Sequence, residues 1–144
     1  MKTYKIILSL VLIAGITLFS ACDDPEDPSK EKQFLNKLSI TWNLESATVG
    51  GKDVTESFPG LSLSVSADKT YYVANPVSPI WAASGTFTLE KVSGSDLFNI
   101  VRDDGTIITV TELTENTLKY KFPYTAPDGR VNGVSGEYEF VMIK

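Results

Sequence analysis

The sequence predicts an all-β domain of about eight antiparallel strands, arranged as a sandwich or a barrel, with a short helix on its N-terminal side. Apolar and polar residues alternate with a period of two over most of the chain after residue 40. This alternation is typical of half-buried antiparallel strands. Clusters of glycine, aspartate, asparagine and proline separate the alternating segments, as hairpin turns require. Helical spacing of apolar residues occurs in one segment after residue 22, at residues 29–38.

The N-terminal segment predicts export and lipid anchoring. Lys2 and Lys5 precede an apolar run at residues 6–18, and small residues precede Cys22, the one cysteine of the chain. This order is typical of a secretory signal. It also resembles the bacterial lipoprotein signal, in which the cysteine is lipidated and becomes the first mature residue. We therefore expect residues 1–21 to be a signal peptide and Cys22 to carry acyl chains such as palmitate, which hold the protein to a membrane.

Two other interpretations of this segment are disfavoured. A membrane-spanning helix needs about 20 apolar residues, and the run at residues 6–18 has 13. An ordinary secretory signal cut after Ala21 requires a small residue at the third position before the cut, where this chain has Phe19.

An acidic tether is predicted at residues 22–33, between the lipidated cysteine and the folded domain. Acidic residues and prolines directly after Cys22 cannot form a packed core and favour an extended, solvated linker. The same cluster is also a candidate signal for export to the cell surface. Its members are Asp23, Asp24, Glu26 and Asp27.

The one helical segment leads into a predicted barrel domain at residues 34–144. Ser29 is a suitable N-cap. Phe34, Leu35 and Leu38 recur at spacings of three and four, which places them on one face of a helix. We expect this face to lie on the body of the domain.

The alternating segments predict the strands. In the first, Trp42, Leu44, Ser46 and Thr48 are predicted to share one face, and Asn43, Glu45 and Ala47 the other. Seven further segments alternate in the same way, at residues 61–66, 71–73, 86–90, 98–100, 108–111, 118–122 and 137–142.

The segments between the strands predict turns and two longer loops. Asp103 and Asp104 could be read as a pair of catalytic carboxylates. However, adjacent side chains tend to point apart, and Asp104-Gly105 is a hairpin signal, so we predict a turn. The longest gaps, at residues 75–84 and 123–135, are the loops expected to carry function.

Composition excludes several classes of function. Residues 22–144 carry 11 basic and 18 acidic side chains, a net charge of −7, with no basic cluster. Nucleic-acid binding is therefore disfavoured, because neutralising phosphates dominates that affinity. The chain has no histidine, which excludes Ser-His-Asp and Cys-His catalysis and zinc sites that use histidine. We expect no enzyme activity, no metal and no cofactor.

A resemblance to a known family narrows the fold. Residues 38–46, with Trp42 and Leu44 in alternation, resemble the opening strand of lipocalin-like domains. Residues 53–58, 61–71, 80–87 and 102–105 are similar to the small lipocalin-like lipoproteins of Bacteroidetes. The similarity spans residues 38–143 and departs at Ile40, where the family has glycine. It implies an up-and-down antiparallel barrel, with Trp42 packed in a structural role across its closed end. In such bacteria, acidic residues after the lipidated cysteine resemble the signal for the outer face of the outer membrane.

Trp81, Tyr71 and Tyr124 are the candidate ligand-binding residues. Trp81 lies shortly after Pro76 and Pro79 in the loop at residues 75–84. It is interpreted either as a lid packed on the barrel or as an exposed stacking platform for a sugar or an apolar ligand. Because a loop constrains packing less than an inward strand face does, we expect Trp81→Ala to destabilise the domain less than Trp42→Ala.

The expected function is binding by a non-catalytic domain that a lipid anchor holds at the outer membrane, facing the cell exterior. One version carries a small apolar ligand inside the barrel, since eight strands leave room for one small ligand at most. The other has a filled barrel that binds a glycan or a surface protein through its loops, as an accessory of surface nutrient uptake. The second is favoured because aromatic side chains are numerous at inward positions, namely Phe87, Phe98, Tyr120, Phe122 and Phe140.

Overall fold

One helix and nine strands make up the part of the chain that the structure, a computed structural model, describes, which is residues 28–127 and 134–144. The helix α1 is Pro28–Leu38, and a single 3-10 turn, Thr55–Ser57, follows the second strand. The strands are β1 Thr41–Val49, β2 Lys52–Asp53, β3 Ser62–Val65, β4 Thr70–Ala74, β5 Ser84–Lys91, β6 Phe98–Arg102, β7 Ile107–Leu113, β8 Thr117–Tyr124 and β9 Gly136–Ile143.

Eight of these strands close into an antiparallel barrel. Of the two architectures that the sequence predicted, a sandwich or a barrel, the barrel is therefore the one formed. From β3 to β9 each strand pairs with the next along the chain, while β1 pairs with β3 on one side and with β9 on the other. The short strand β2 forms a hairpin with the end of β1 and is not part of the closed circuit. The predicted all-β, up-and-down lipocalin-like barrel with a short N-terminal helix is thus confirmed.

Strand β1 departs from strict alternation. Its register against β9 shifts between Leu44 and Ser46, which is a β-bulge. Trp42 is buried before the bulge, and Ala47 and Val49 are buried after it. The prediction that Ser46 and Thr48 share the face of Trp42 is therefore wrong. The extra residue of a bulge reverses the phase of every side chain beyond it.

Helix α1 covers one end of the barrel. Phe34 and Leu38 are buried on its inner face, and the Phe34 ring lies 5.1 Å from the Phe98 ring, centroid to centroid. The indole Nε1 of Trp42 donates a hydrogen bond of 3.0 Å to the Leu38 carbonyl, which satisfies one of the free carbonyls at the helix C-terminus. We call this the helix-covered end.

The folded domain starts earlier than the sequence predicted. The helix begins at Pro28, so residues 28–33, predicted as part of the tether, form its first turns. Two ion pairs hold these turns to the barrel: Lys30 Nζ lies 2.8 Å from Asp96, and Lys69 Nζ lies 2.7 Å from Glu31. Proline is well suited to the first turn of a helix because its missing N–H would have no partner there.

The opposite end of the barrel is covered by loops, and we call it the loop-covered end. The 3-10 turn, the β4–β5 loop at residues 75–83 and the start of β9 meet there. The rings of Phe58 and Tyr138 lie 6.2 Å apart, and those of Phe58 and Phe140 lie 5.2 Å apart. Asn75, which opens the β4–β5 loop, has a φ of 54°, and its amide donates a 2.8 Å hydrogen bond to the Gly60 carbonyl.

Candidate functional site

The β4–β5 loop sends Trp81 into the barrel. Trp81 is 2% exposed. The centroid of its ring lies 5.7 Å from that of Phe122, 5.9 Å from that of Tyr120 and 6.1 Å from that of Tyr71, each in an edge-to-face arrangement. Edge-to-face packing is favourable because the positive edge of one ring meets the negative face of another. The interpretation of Trp81 as an exposed platform is therefore wrong, and the alternative, packing on the barrel, describes its position.

Arg102 is the one charged side chain that is buried within the described ranges, at 4% exposure. Its guanidinium carbon lies 5.1 Å from the centroid of the Trp81 ring, which is a cation–π contact. Its Nη1 donates a 3.2 Å hydrogen bond to the Ile80 carbonyl, and its Nη2 pairs with Asp104. Arg102 therefore joins the β6–β7 turn to the β4–β5 loop. Arg102 was not predicted as a functional residue, although its place in phase with the inward-facing Phe98 and Ile100 is a signal for it in the sequence.

Asp103 and Asp104 form a turn, as predicted. The Asp104 carboxylate accepts a 2.9 Å hydrogen bond from the Thr106 amide, whereas Asp103 accepts a 3.3 Å bond from the Thr86 amide. Partial burial raises the pKa of Asp104, but the hydrogen bonds from Thr106 and the Arg102 guanidinium outweigh this effect and hold the pKa below its usual value. The two carboxylates thus bind different backbone groups and do not act as a pair.

Side chains fill the interior of the barrel. The cavity between Trp81, Tyr71 and Arg102 has a volume of about 20 Å³ and apolar walls. That is room for about one water molecule, whereas pockets for small molecules measure about 300–1,000 Å³. The rings of Tyr120, Phe122 and Phe140 lie nearly parallel to one another, with centroids 5.3–6.3 Å apart. The described interior therefore matches the predicted filled core.

Tyr71 and Tyr120, two tyrosines of the interior, are held in their neutral form. Burial raises the pKa of Tyr120 well above its ordinary value, and burial also raises the pKa of Tyr71. The hydroxyls of both residues, together with Nε1 of Trp81 and Nε of Arg102, are buried without a protein hydrogen-bond partner. Neutral phenols of this kind cannot serve as general bases near neutral pH.

The three candidate ligand-binding residues do not form one site. Tyr71 and Trp81 are neighbours inside the barrel, with ring centroids 6.1 Å apart. Tyr124 is half-buried near the loop-covered end, where its ring meets that of Tyr138 at 6.3 Å. A ligand role for these residues stays a prediction. Trp42 is fully buried, in keeping with the structural role expected of it.

In the described part of the chain, a cleft lies at each end of the barrel. At the loop-covered end, a cleft of about 200 Å³ is lined mainly by apolar side chains, namely Val54, Phe58, Val77, Ile80, Val134 and Tyr138. At the helix-covered end, a groove of about 210 Å³ runs beside α1 and is lined by Lys30, Gln33, Lys37 and Asp96 together with Phe34, Leu97 and Leu113. Of the two loops predicted to carry function, residues 75–84 contribute Val77 and Ile80 to the first cleft, and residues 123–135 contribute Val134. Residues 128–133 of the second loop lie outside the described residues, and the contribution of the 3-10 turn region was not predicted.

The anchoring and export residues, Cys22, Asp23, Asp24, Glu26 and Asp27, lie outside the described residues. Within residues 28–127 and 134–144, no group of three or more acidic, cysteine or histidine side chains is placed to hold a metal ion. Over the same ranges, no helix is both long and apolar enough to cross a membrane. No family model, curated protein or solved structure matches this chain.

Proposed function

We propose that this protein is a lipid-anchored, non-catalytic binding domain of the bacterial outer membrane that acts through its outer surface. The filled barrel carries this proposal. The cavity beside Trp81 offers about 20 Å³, and small-molecule sites need at least about 300 Å³. Internal carriage would require several of the packed aromatic rings to leave the barrel.

A non-catalytic role is supported by the state of the candidate catalytic groups. The chain has no histidine, the usual general base near neutral pH. Burial keeps Tyr71 and Tyr120 protonated. Asp104 is engaged by Arg102 and Thr106, and Asp103 by Thr86.

Attachment through Cys22 gives the barrel an orientation. Five residues separate Cys22 from Pro28, the first residue of α1, and such a segment reaches at most about 20 Å. Because α1 packs on the helix-covered end, that end lies towards the membrane. The loop-covered end and the outer wall of the barrel then remain accessible to partners in the medium.

Native mass spectrometry of the full chain, gently released from detergent, tests this proposal against carriage of a small apolar ligand. We expect the lipidated protein to give one mass, with no further small molecule bound. A co-purified compound that survives removal of lipid and detergent, and that Trp81→Phe releases, would overturn the proposal and favour the carrier.

A further inference from the structure

The outer wall of the barrel is divided by charge. On β7, β8 and β9, lysine and glutamate side chains pair across the wall: Lys119 Nζ lies 2.9 Å from Glu112, and Lys121 Nζ lies 3.1 Å from Glu137. The wall made by β3, β4 and the first parts of β1 and β5 has no charged side chain at its outward positions. These positions, which we call the neutral face, are Thr41, Asn43, Ser62, Ser64, Thr70, Tyr72, Ala74, Ser84, Thr86 and Thr88.

One row of the neutral face crosses four neighbouring strands. Strand register places Thr41 opposite Ser64, Ser64 opposite Tyr72, and Tyr72 opposite Ser84. Neighbouring strands lie about 4.8 Å apart, so the row is about 15 Å long. The hydroxyls of Thr41 and Ser64 lie 2.9 Å apart and share a hydrogen bond. The row thus has four hydroxyl groups, one of which belongs to the aromatic ring of Tyr72.

Tyr72 is the most exposed aromatic side chain among the residues described. It is 58% exposed on the outer face of β4, while its neighbours Tyr71 and Val73 are buried on the inner face. The pairing of β4 with β3 and β5 fixes the backbone position from which the ring projects. An exposed tyrosine ring offers an apolar face and a polar hydroxyl at a small entropic cost, because the side chain has only two rotatable bonds.

We propose that the neutral face binds an uncharged polysaccharide, with a sugar ring stacked on Tyr72 and its hydroxyls bonded to the flanking serine and threonine side chains. A hydroxyl group both donates and accepts hydrogen bonds, so a row of hydroxyls complements the hydroxyls of a glycan. The inference rests on the proposed function, because it names the partner of the outer surface.

The composition of the neutral face disfavours other partners. Nucleic acids and anionic glycans require basic side chains, and the neutral face has none. The cores of protein interfaces are enriched in aromatic residues, methionine and arginine and depleted in serine. Here one aromatic ring stands among three serines and four threonines. A neutral partner rich in hydroxyl groups fits this surface best.

The test is affinity electrophoresis of the full chain in neutral detergent, through native gels that contain soluble glucan, mannan or galactan, or dextran sulfate as the anionic probe. We expect at least one neutral polysaccharide to retard the protein and dextran sulfate not to do so. Tyr72→Ala should weaken the binding about tenfold, and Tyr72→Trp should restore it. Ile107→Ala removes another exposed apolar side chain, 48% exposed and three strands away, and should leave retardation unchanged.

Three results would overturn this inference: no retardation by any of the neutral polysaccharides, equal retardation of Tyr72→Ala and the wild type, or stronger retardation by dextran sulfate. Sedimentation of the same variants provides a fourth such result. If the wild type is a dimer and Tyr72→Ala is a monomer, the neutral face is a contact between two copies of the protein. If native mass spectrometry finds no small molecule bound and the gels that contain neutral polysaccharides do not retard the protein, the proposed function stands and this inference is wrong.

Discussion

Arg102 brings a positive charge into a barrel that is otherwise apolar or neutral in its described interior. Burying a charge is costly unless it is paired. Here the guanidinium is stabilised by an ion pair with Asp104, a hydrogen bond to the Ile80 carbonyl and a cation–π contact with Trp81. These contacts come from the β6–β7 turn and the β4–β5 loop, which are distant in sequence. At the scale of single residues, the loop-covered end therefore depends on Arg102.

Asp104→Asn tests this dependence. We expect the variant to lose about 1–3 kcal/mol of unfolding free energy at neutral pH, because Arg102 loses its charged partner. Since the folded pKa of Asp104 is lowered, the stability that its carboxylate contributes is present above the usual carboxyl pKa of about 4 and is lost as the pH falls through the folded pKa. The difference from the wild type should therefore shrink in acid.

Urea unfolding at neutral pH and at about pH 2.5 measures both effects. Asp103→Asn is the matched control, because it makes the same chemical change one residue away, at a carboxylate bonded to the Thr86 amide. It should have the smaller effect at neutral pH. Equal losses of unfolding free energy in the two variants would show that the ion pair of Arg102 and Asp104 adds no stability beyond that of an ordinary turn carboxylate.

The two tryptophans are now expected to behave alike. Trp42 is fully buried and Trp81 is 2% exposed, so replacing either with alanine should cost about 3–5 kcal/mol. This revises the sequence-based expectation that Trp81→Ala is the milder change. Thermal melts of both variants decide the point, with Tyr72→Ala as a control at an exposed aromatic that should change stability by less than about 0.5 kcal/mol. A mild Trp81→Ala would mean that the β4–β5 loop contributes little to the core.

At the scale of elements, the sequence predicts what is local and misses what depends on distant contacts. The strands and α1 follow from periodicities of two and of three to four, which each segment carries by itself. The bulge in β1 arises from its pairing with β9, nearly one hundred residues along the chain, and no local signal marks it. Trp81 is another such case, because its burial depends on rings from β4, β8 and β9.

The start of α1 shows the same limit. Lysine, glutamate and serine at residues 29–32 have the composition of a solvated tether. They are ordered as helix because Phe34 and Leu38 anchor the following turns and because Glu31 and Lys30 meet Lys69 and Asp96 on the barrel. Composition alone cannot show these partners, which lie more than 30 residues away in sequence.

The tether that precedes α1 gives the prediction at this scale. Replacing Asp23, Asp24, Glu26 and Asp27 with alanine should stop surface display, so that protease added to intact cells no longer cleaves the protein. The control exchanges each aspartate for glutamate and the glutamate for aspartate, which keeps the charge and should keep the protein cleavable. Cleavage of the alanine variant at the wild-type rate would show that the acidic residues do not direct surface display and that the segment acts only as a spacer.

At the scale of the whole molecule, the proposed function gives the barrel one end for attachment and a wall for binding. The helix-covered end receives the chain from Cys22, and α1 with its two ion pairs fixes where the chain enters. The charged pairs on β7, β8 and β9 and the neutral face both consist of outward side chains that take no part in the core. Folding therefore leaves the neutral face free to be selected for a partner.

Cys22→Ser tests the attachment on which this arrangement depends. A serine at this position cannot accept the thioether-linked lipid, and stable anchoring to a membrane takes more than one acyl chain. We expect the variant to leave the membrane fraction, while its thermal unfolding transition matches that of the wild type, because Cys22 lies before the first residue of α1. Fractionation of cells, with mass spectrometry of the N-terminal peptide for its acyl chains, measures the result. A variant that stays with the membrane and still carries acyl chains would place the anchor elsewhere and remove the orientation proposed for the barrel.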